Sequence, residues 1–600
     1  MTENLEHLVA LLERMNQRLQ DLEQRVAALE THSTTQSAPK PKATFTTTAR
    51  PKPPDTWRGF PEPGGSGGTV PVLGKAVLGI AGAYLLRAIS ESGSVPKVPV
   101  LLLAIVYAGI WMVWAARIRP RNGFASVTYA VTSALVLSPL LWESTVRFQI
   151  LPPAFSGAML VGYVMLALAL SWRTEMQVIP WIAMLAAVNT SLALIIGTHH
   201  IATLTASMLA IALVTECAVC LGRELTMRAV PAVAADLAVL LLVDVMTSAD
   251  GVPEGYPPAS AAAIAALCVL LLVVYGASVA YRGFWLRREI TFFEMGQTAI
   301  AFALATFGAL RATHGGAAPA LGGMFLFLAA ACYWGALRRF AGDAFVRNRH
   351  VSASWAAALL LAGSLLLFPT GLQTAFLILA ATTAAFFYRR TGKVSFGIHA
   401  SLFLTTAALV SSLLRYIVDA LAGSVPGMPP WGAGLVAISA AVCYYASHHN
   451  PEQGWRRTLW FIPASLVAFA TAAFVVAAVV AFFGGHVDLA ASRLSVIRTV
   501  VNCVLALLLA FLGSRWQRAE LGWLAYGAVA FGTVKLLFED LRFGNAASLV
   551  VSLLFYGLIL ILLPRFMQRG RTANAVTAQS EAQQQQPAEA EDRAGSVTQS

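Results

Sequence analysis

From about residue 70 to residue 565 the chain is an almost unbroken series of apolar stretches, each near the length that crosses a lipid bilayer. Such a crossing takes roughly 20 apolar residues as a helix, and a helix satisfies its backbone hydrogen bonds within one segment. The composition, 57% hydrophobic and 12% charged, also differs from that of soluble domains. We therefore predict an all-α, polytopic integral membrane protein with about eighteen transmembrane helices. Their centres fall near residues 80, 107, 133, 163, 188, 211, 238, 270, 301, 329, 360, 380, 405, 439, 471, 505, 529 and 555.

Basic residues gather at one end of these predicted spans, and such a bias sets the orientation of a membrane protein. Loops after even-numbered spans hold 23 Lys and Arg residues, against seven in the loops after odd-numbered spans, where we place Arg498. Because basic loops face the cytoplasm, we predict a multi-pass protein of the inner (cytoplasmic) membrane with both termini cytoplasmic. The same bias explains the net charge of +12, so we expect the lipid bilayer, and not nucleic acid, as a partner.

The first 31 residues carry a heptad pattern that is typical of a coiled coil. In this register Arg18 at a g position meets Glu23 at the following e position of a parallel partner, so opposite charges come together. We predict a cytoplasmic coiled coil that binds a second copy of the chain or a cytoplasmic partner. The alternative is an amphipathic helix that lies on the membrane surface. The apolar positions of the heptads are Leu5, Leu8, Leu12, Met15, Leu19, Leu22, Val26 and Leu29.

Composition divides the chain into four parts. Residues 1–31 form the predicted coiled coil, and residues 32–68, rich in Pro and Gly, predict a flexible linker. Residues 69–566 form the multi-pass transmembrane domain. Residues 567–600 are polar, with a run of four Gln, and predict a disordered cytoplasmic tail.

The sequence contains no motif for a metal, a cofactor or catalysis. The six cysteines lie in apolar stretches, which is typical of packing residues rather than of disulfides or metal ligands. The nucleotide-binding pattern GxxxxGK[ST] and the zinc-binding pattern HExxH are both missing. We therefore expect no cofactor, and we expect that the protein is not an enzyme.

The first span and the last two spans carry short motifs that are similar to those of a known family. They are Leu73-Gly74 through Gly79, Tyr84-Leu85-Leu86-Arg87-Ala88, Gly93, Pro96, and Lys535-Leu536-Leu537-Phe538-Glu539-Asp540-Leu541. In these motifs the chain resembles a bacterial family of predicted multi-pass membrane proteins of unknown function. The resemblance implies an amino-terminal coiled coil, a Pro/Gly-rich tether and a long series of transmembrane helices. It implies no substrate, because the family has no assigned activity.

Charged residues inside the spans are the best indicators of function, since a charge at the helix centre costs about 2.5 to 3.5 kcal/mol on insertion scales. Asp236 lies about halfway along the seventh span, and Asp244 follows two turns later, roughly 80° round the helix. We predict that the two form a polar face and that Asp236 responds to protons or cations. The alternative is a structural hydrogen bond or ion pair between helices.

Three pairs of opposite charges at i, i+4 spacing lie at the predicted outer ends of spans one, thirteen and seventeen. If these ends converge, the pairs line a shared cavity that opens to the outside. The alternative is three unrelated surface pairs, which contribute little stability. The pairs are Arg87 with Glu91, Arg415 with Asp419, and Lys535 with Glu539.

These features favour a transporter or a flippase-like carrier of a small solute or a lipid-linked molecule, because so many spans exceed what a membrane anchor needs. One alternative is a membrane scaffold that organises partners through its coiled coil. A second alternative is a glycosyltransferase-like membrane enzyme with acidic residues in outer loops, where only Glu91 and Glu143 are available.

Overall fold

A computed structural model describes residues 69–564, with gaps at 92–95, 119–122, 175, 224, 226, 341–344, 424–426, 447–458, 484–490 and 541–548. The structure is 87% helical, and no strand occurs among these residues. They all belong to one structural unit, Gly65–Ser600. The predicted coiled coil, the linker and the carboxyl-terminal tail lie outside the described residues.

Nineteen helices follow one another along the described part of the chain. Short turns join many of the consecutive helices, an arrangement that favours antiparallel neighbours; Gly392 ends α12 in the left-handed region at φ 63°. Three of them, α3, α10 and α18, continue as single π-helical turns, Glu143–Arg147, Gly335–Arg339 and Leu536–Asp540. The helices are α1 Thr69–Glu91, α2 Lys97–Arg117, α3 Gly123–Trp142, α4 Pro153–Thr174, α5 Val178–Thr198, α6 Ile201–Cys220, α7 Ala229–Met246, α8 Ala261–Phe284, α9 Phe292–Ala312, α10 Ala318–Trp334, α11 Val346–Leu367, α12 Thr370–Thr391, α13 Val394–Val410, α14 Leu413–Ala422, α15 Trp431–Ala446, α16 Phe461–Phe483, α17 Ala491–Arg515, α18 Ala519–Lys535 and α19 Leu549–Pro564.

The all-α, polytopic fold predicted from the sequence is confirmed. Fourteen helices, α2–α12 and α16–α18, are long and apolar enough to cross a membrane. The four other predicted spans fall on α1, α15 and α19, which have shorter apolar stretches, and on the pair α13 and α14, which is bent by 67°. The 16 residues of α15 rise only about 24 Å, less than the roughly 30 Å of hydrocarbon. The count of about eighteen crossings therefore stays a prediction at these four places.

The packing depends on small side chains where helices cross. One continuous apolar core runs from α2 to α11; within it α7 and α8 contact each other, and each contacts both α6 and α9. At the crossing of α10 and α11, a Cβ on Gly322 would lie 2.9 Å from Cβ of Leu367 and 3.1 Å from the carbonyl oxygen of Gly363. Lipid gives no hydrophobic drive for helix association, so close contact through glycine supplies the attraction.

We expect Gly322→Ala to destabilise the protein by about 1 to 3 kcal/mol, the usual cost of an overpacked contact. Gly323→Ala is the matched control, because a Cβ there meets no atom within 4 Å and alanine favours a helix interior by roughly 0.5 to 1 kcal/mol. Unfolding of the two variants in detergent measures the difference. Equal effects at both positions would contradict this account of the α10–α11 crossing.

The predicted orientation can be tested in the two loops that flank α8. Glu254 and Trp285 are both exposed, and the charge bias assigns Glu254 to the outer side and Trp285 to the cytoplasm. In a variant without native cysteines, Glu254→Cys should react with a membrane-impermeant thiol reagent added to intact cells. Trp285→Cys should react only after the membrane is opened, and the reverse pattern would overturn the predicted orientation.

Candidate functional site

Three buried carboxylates of the described helices form a cluster in the group α6–α9. The cluster occupies the end of this group where α6 and α8 finish and where α7 and α9 begin. This is also the end where Arg223, Arg287 and Arg288 lie in the loops. The cluster is therefore closer to the predicted cytoplasmic side than to the opposite side. Its carboxylates are Glu216, Asp236 and Glu294, all buried.

Glu294 is the carboxylate of the cluster that binds cations. It is the third residue of α9, where Thr291 and Glu294 form a capping box, each accepting a hydrogen bond from the other's backbone N–H. Arg228 Nη1 lies 2.9 Å from Glu294 Oε1, and Arg282 contacts the same oxygen. Local capping thus fixes a carboxylate at the start of α9, and two guanidinium groups from neighbouring elements converge on it.

Glu216 on α6 is bound differently. The hydroxyl of Ser278 on α8 donates a hydrogen bond to Glu216 Oε2 at 2.5 Å, and the Cys220 sulfur lies 3.6 Å from the same hydroxyl. No cationic side chain in the described part of the chain pairs with Glu216 within 4.0 Å. This buried carboxylate therefore has a neutral partner.

Asp236, the carboxylate singled out from the sequence, also has a neutral partner. It is 8% exposed and lies about 10 Å along the axis from the start of α7. Gln297 on α9 donates from Nε2 to both carboxylate oxygens, at 3.0 Å to Oδ1 and 2.8 Å to Oδ2. Among the residues with described structure, no Lys, Arg or His forms an ion pair with it.

The two kinds of partner give the carboxylates different chemistry. A hydroxyl or a side-chain amide holds both a donor and an acceptor, so Ser278 and Gln297 can bind Glu216 and Asp236 either as carboxylates or as carboxylic acids. Glu294 lacks this freedom, because its protonation would remove the carboxylate that pairs with both Arg228 and Arg282. The cluster thus combines one fixed ion-pair centre with two carboxyl groups that can exchange a proton without losing their partner.

Asp244 lies elsewhere. It is exposed near the far end of α7, about 12 Å along the helix axis from Asp236, and it makes no hydrogen bond or ion pair with a described residue. The structure does not bring the two aspartates together. Asp236 instead contacts α9 through its hydrogen bonds with Gln297, a neutral residue that the sequence analysis did not identify. The feature that could have indicated Gln297 is its position three residues after Glu294, on the same helix face.

The three predicted charge pairs have different outcomes. The side chains of Arg87, Glu91 and Glu539 lie outside the described residues. Arg415 Nε lies 3.7 Å from Asp419 Oδ2, and the two side chains are 86% and 44% exposed, so this pair is on the surface.

Lys535 is buried against α17. Its Nζ donates to the carbonyl oxygen of Ser495 at 3.0 Å and to Oγ1 of Thr499 at 2.9 Å. The first turns of α17 therefore bind a cation from α18, although Lys535 was predicted near an outer helix end as half of a pair with Glu539.

Arg498 corrects the assignment made from the sequence, because it lies inside α17 and not in a loop. It is 2% exposed and donates to the carbonyl oxygens of Ala420 at 2.8 Å, Asp419 at 3.1 Å and Gly423 at 3.0 Å. These carbonyls lie at the carboxyl end of α14, where that of Asp419 also accepts the backbone N–H of Gly423. A polar stripe of Ser495, Arg498 and Asn502 at helical spacing was the signal that could have identified it.

No family model, curated protein or solved structure matches this chain. The resemblance in the first and last spans therefore stays an expectation. The polar cluster of α6–α9 is the basis for the function proposed for this chain.

We expect the two kinds of carboxylate to differ in their effect on stability. Glu294→Gln removes the carboxylate that pairs with Arg228 and Arg282 and should cost about 3 to 5 kcal/mol, as for breaking a buried ion pair. Asp236→Asn keeps a polar group beside Gln297 and should cost about 1 kcal/mol or less. Unfolding in detergent ranks the two variants, and an Asp236→Asn variant that is destabilised as much as Glu294→Gln would show that Asp236 is structural.

Proposed function

We propose that this membrane protein is a carrier that moves a small solute or a lipid-linked molecule, and that Asp236 is its proton- or cation-responsive group. The observation that carries the proposal is the hydrogen bonding of Asp236, a buried carboxylate whose partner is the neutral amide of Gln297. Ionisable groups inside a membrane are costly and are retained mainly where they function. A carboxylate kept only for packing would be expected to have a cationic partner, as Glu294 has.

The proposal links protonation to helix packing. Asp236 lies on α7 and Gln297 on α9, so a change of charge at Asp236 alters the interaction between these two helices. A ligand that binds one packing arrangement better than the other shifts the population of the two. Loss or gain of a proton at Asp236 would do the same, and the two effects would then be coupled through one equilibrium.

Two further features support a carrier. Arg282 Nε is buried and donates no hydrogen bond within the described part of the chain, so a buried donor is available to a ligand beside Glu294. The pair α13 and α14 forms a broken helix, with Ser412 in the left-handed region at φ 61°. Broken helices inside a membrane are typical of transporters, where they occur beside cavities and ion sites.

The proposal predicts a ligand whose binding requires Asp236. We would screen ions, amino acids, sugars and polyprenyl-linked lipids at several pH values by thermal unfolding of purified protein. A ligand at 100 times its Kd stabilises the folded state by about 2.7 kcal/mol, which shifts the midpoint measurably. The expected result is a pH-dependent shift in the wild type that Asp236→Asn loses.

Asp244→Asn is the matched control, because it makes the same chemical change in the same helix at an exposed position. It should keep the wild-type shift. A ligand that stabilises all three proteins equally would exclude Asp236 from the site. A ligand-dependent phenotype that disappears when residues 1–31 are deleted, but survives Asp236→Asn, would favour the scaffold alternative.

A further inference from the structure

A cavity of about 280 Å³ lies away from the α6–α9 cluster, between α10, the start of α11 and the turn that joins α12 to α13. Three of its lining side chains are basic, and none of its lining residues is acidic. Two of the three lie in the first turns of α11 and the third lies in the α12–α13 turn, both at the end of the helices that we assign to the cytoplasm. The polar lining residues are Tyr333, Arg349, His350, Lys393 and Ser395.

The polar groups of this cavity suit an anion. The side chain of Lys393 makes no ion pair or hydrogen bond with any described residue, and it is only partly exposed. His350 Nδ1 and Ser395 Oγ, which also line the cavity, are 3.0 Å apart and share a hydrogen bond. The cavity therefore presents a lysine ammonium group and hydrogen-bonding groups in one small space, which is the chemistry that binds phosphate.

The backbone adds to this preference. α11 and α13 both begin beside the cavity, and neither start has a side chain that caps its first N–H groups. Because the amino-terminal end of a helix carries partial positive charge, it favours a nearby anion. Val394 and Ser395, the first two residues of α13, themselves line the cavity.

The remaining lining is apolar, which distinguishes a lipid from a soluble ion. Leu337, Ala353 and Phe396 form part of the wall, and Trp334, next to the lining residue Tyr333 in the chain, is 61% exposed. Exposed aromatic residues near basic loops are typical of the depth at which lipid headgroups lie. A ligand with a phosphate next to an apolar portion matches both halves of the cavity.

We propose that this cavity binds the phosphate-bearing headgroup of an anionic phospholipid, from the leaflet that faces the arginine-rich loops. Basic pockets between transmembrane helices on that side of a membrane are suited to such headgroups. The site is independent of Asp236 and of the carrier function, since it shares no residue with the α6–α9 cluster.

The test uses the full chain, delipidated in a neutral detergent. Phosphatidylglycerol should raise the unfolding midpoint by several degrees and should remain bound in native mass spectrometry, whereas phosphatidylcholine at the same mole fraction should do neither. Inorganic phosphate and glycerol phosphate at millimolar concentration should leave the midpoint unchanged. Equal stabilisation by a soluble phosphate would overturn the assignment to a lipid.

Variants locate the site. Lys393→Gln should weaken phosphatidylglycerol binding at least tenfold, Lys393→Arg should retain it, and Ser395→Asp should weaken it by adding a negative charge to the wall. Each variant should unfold at the wild-type midpoint in the absence of lipid, because both positions are partly exposed.

Arg390→Gln is the matched control. It removes one charge three residues before Lys393, from the last turn of α12, but Arg390 lies over the ring of Phe386 and does not line the cavity. It should bind phosphatidylglycerol like the wild type. Equal losses in Arg390→Gln and Lys393→Gln would show that the lipid is attracted by the general surface charge, and the proposed site would be rejected.

Discussion

The constraint on which the structure depends is the lack of water in the hydrocarbon of a bilayer. Every backbone and side-chain polar group at that depth needs a partner within the protein, because an unsatisfied group costs several kcal/mol. Helices satisfy the hydrogen bonds of the backbone, and the remaining polar groups lie where a neighbouring helix supplies a hydrogen-bond partner. The end of α14 illustrates this, because Arg498 of α17 donates hydrogen bonds to the carbonyl oxygens of three residues there.

The same constraint gives meaning to differences between buried carboxylates. Glu294 is held by Arg228 and Arg282, and this arrangement is explained by structure alone, since each charge compensates another. Glu216 and Asp236 are bound by a hydroxyl and an amide, so their environment tolerates either protonation state. This difference in partners, cationic for Glu294 and neutral for Asp236, supports the proposal that Asp236 has a functional role and Glu294 a structural one.

Small residues matter because lipid gives helices no hydrophobic reason to associate. Where α10 and α11 cross, a Cβ added to Gly322 would lie 3.1 Å from the carbonyl oxygen of Gly363. Glycine therefore allows the two backbones to come this close. The first turns of α11 and the α12–α13 turn then enclose the basic cavity around Lys393. The cavity thus lies at the other end of the α10–α11 pair, about 20 Å along α11 from the Gly363 contact.

Apolar stretches and loop charges were enough to determine the all-α polytopic fold, the places of the helices and Asp236 as a residue of interest, because length and hydropathy along one segment decide whether it forms a membrane helix. The partners were decided by tertiary structure. Gln297 is 61 residues from Asp236 in the chain, and Arg498 is 78 residues from Ala420, distances over which a single sequence carries no pairing information. Asp244 shares a helix with Asp236 but is exposed, since which side of α7 faces protein and which faces outward is settled only when α6, α8 and α9 pack against it.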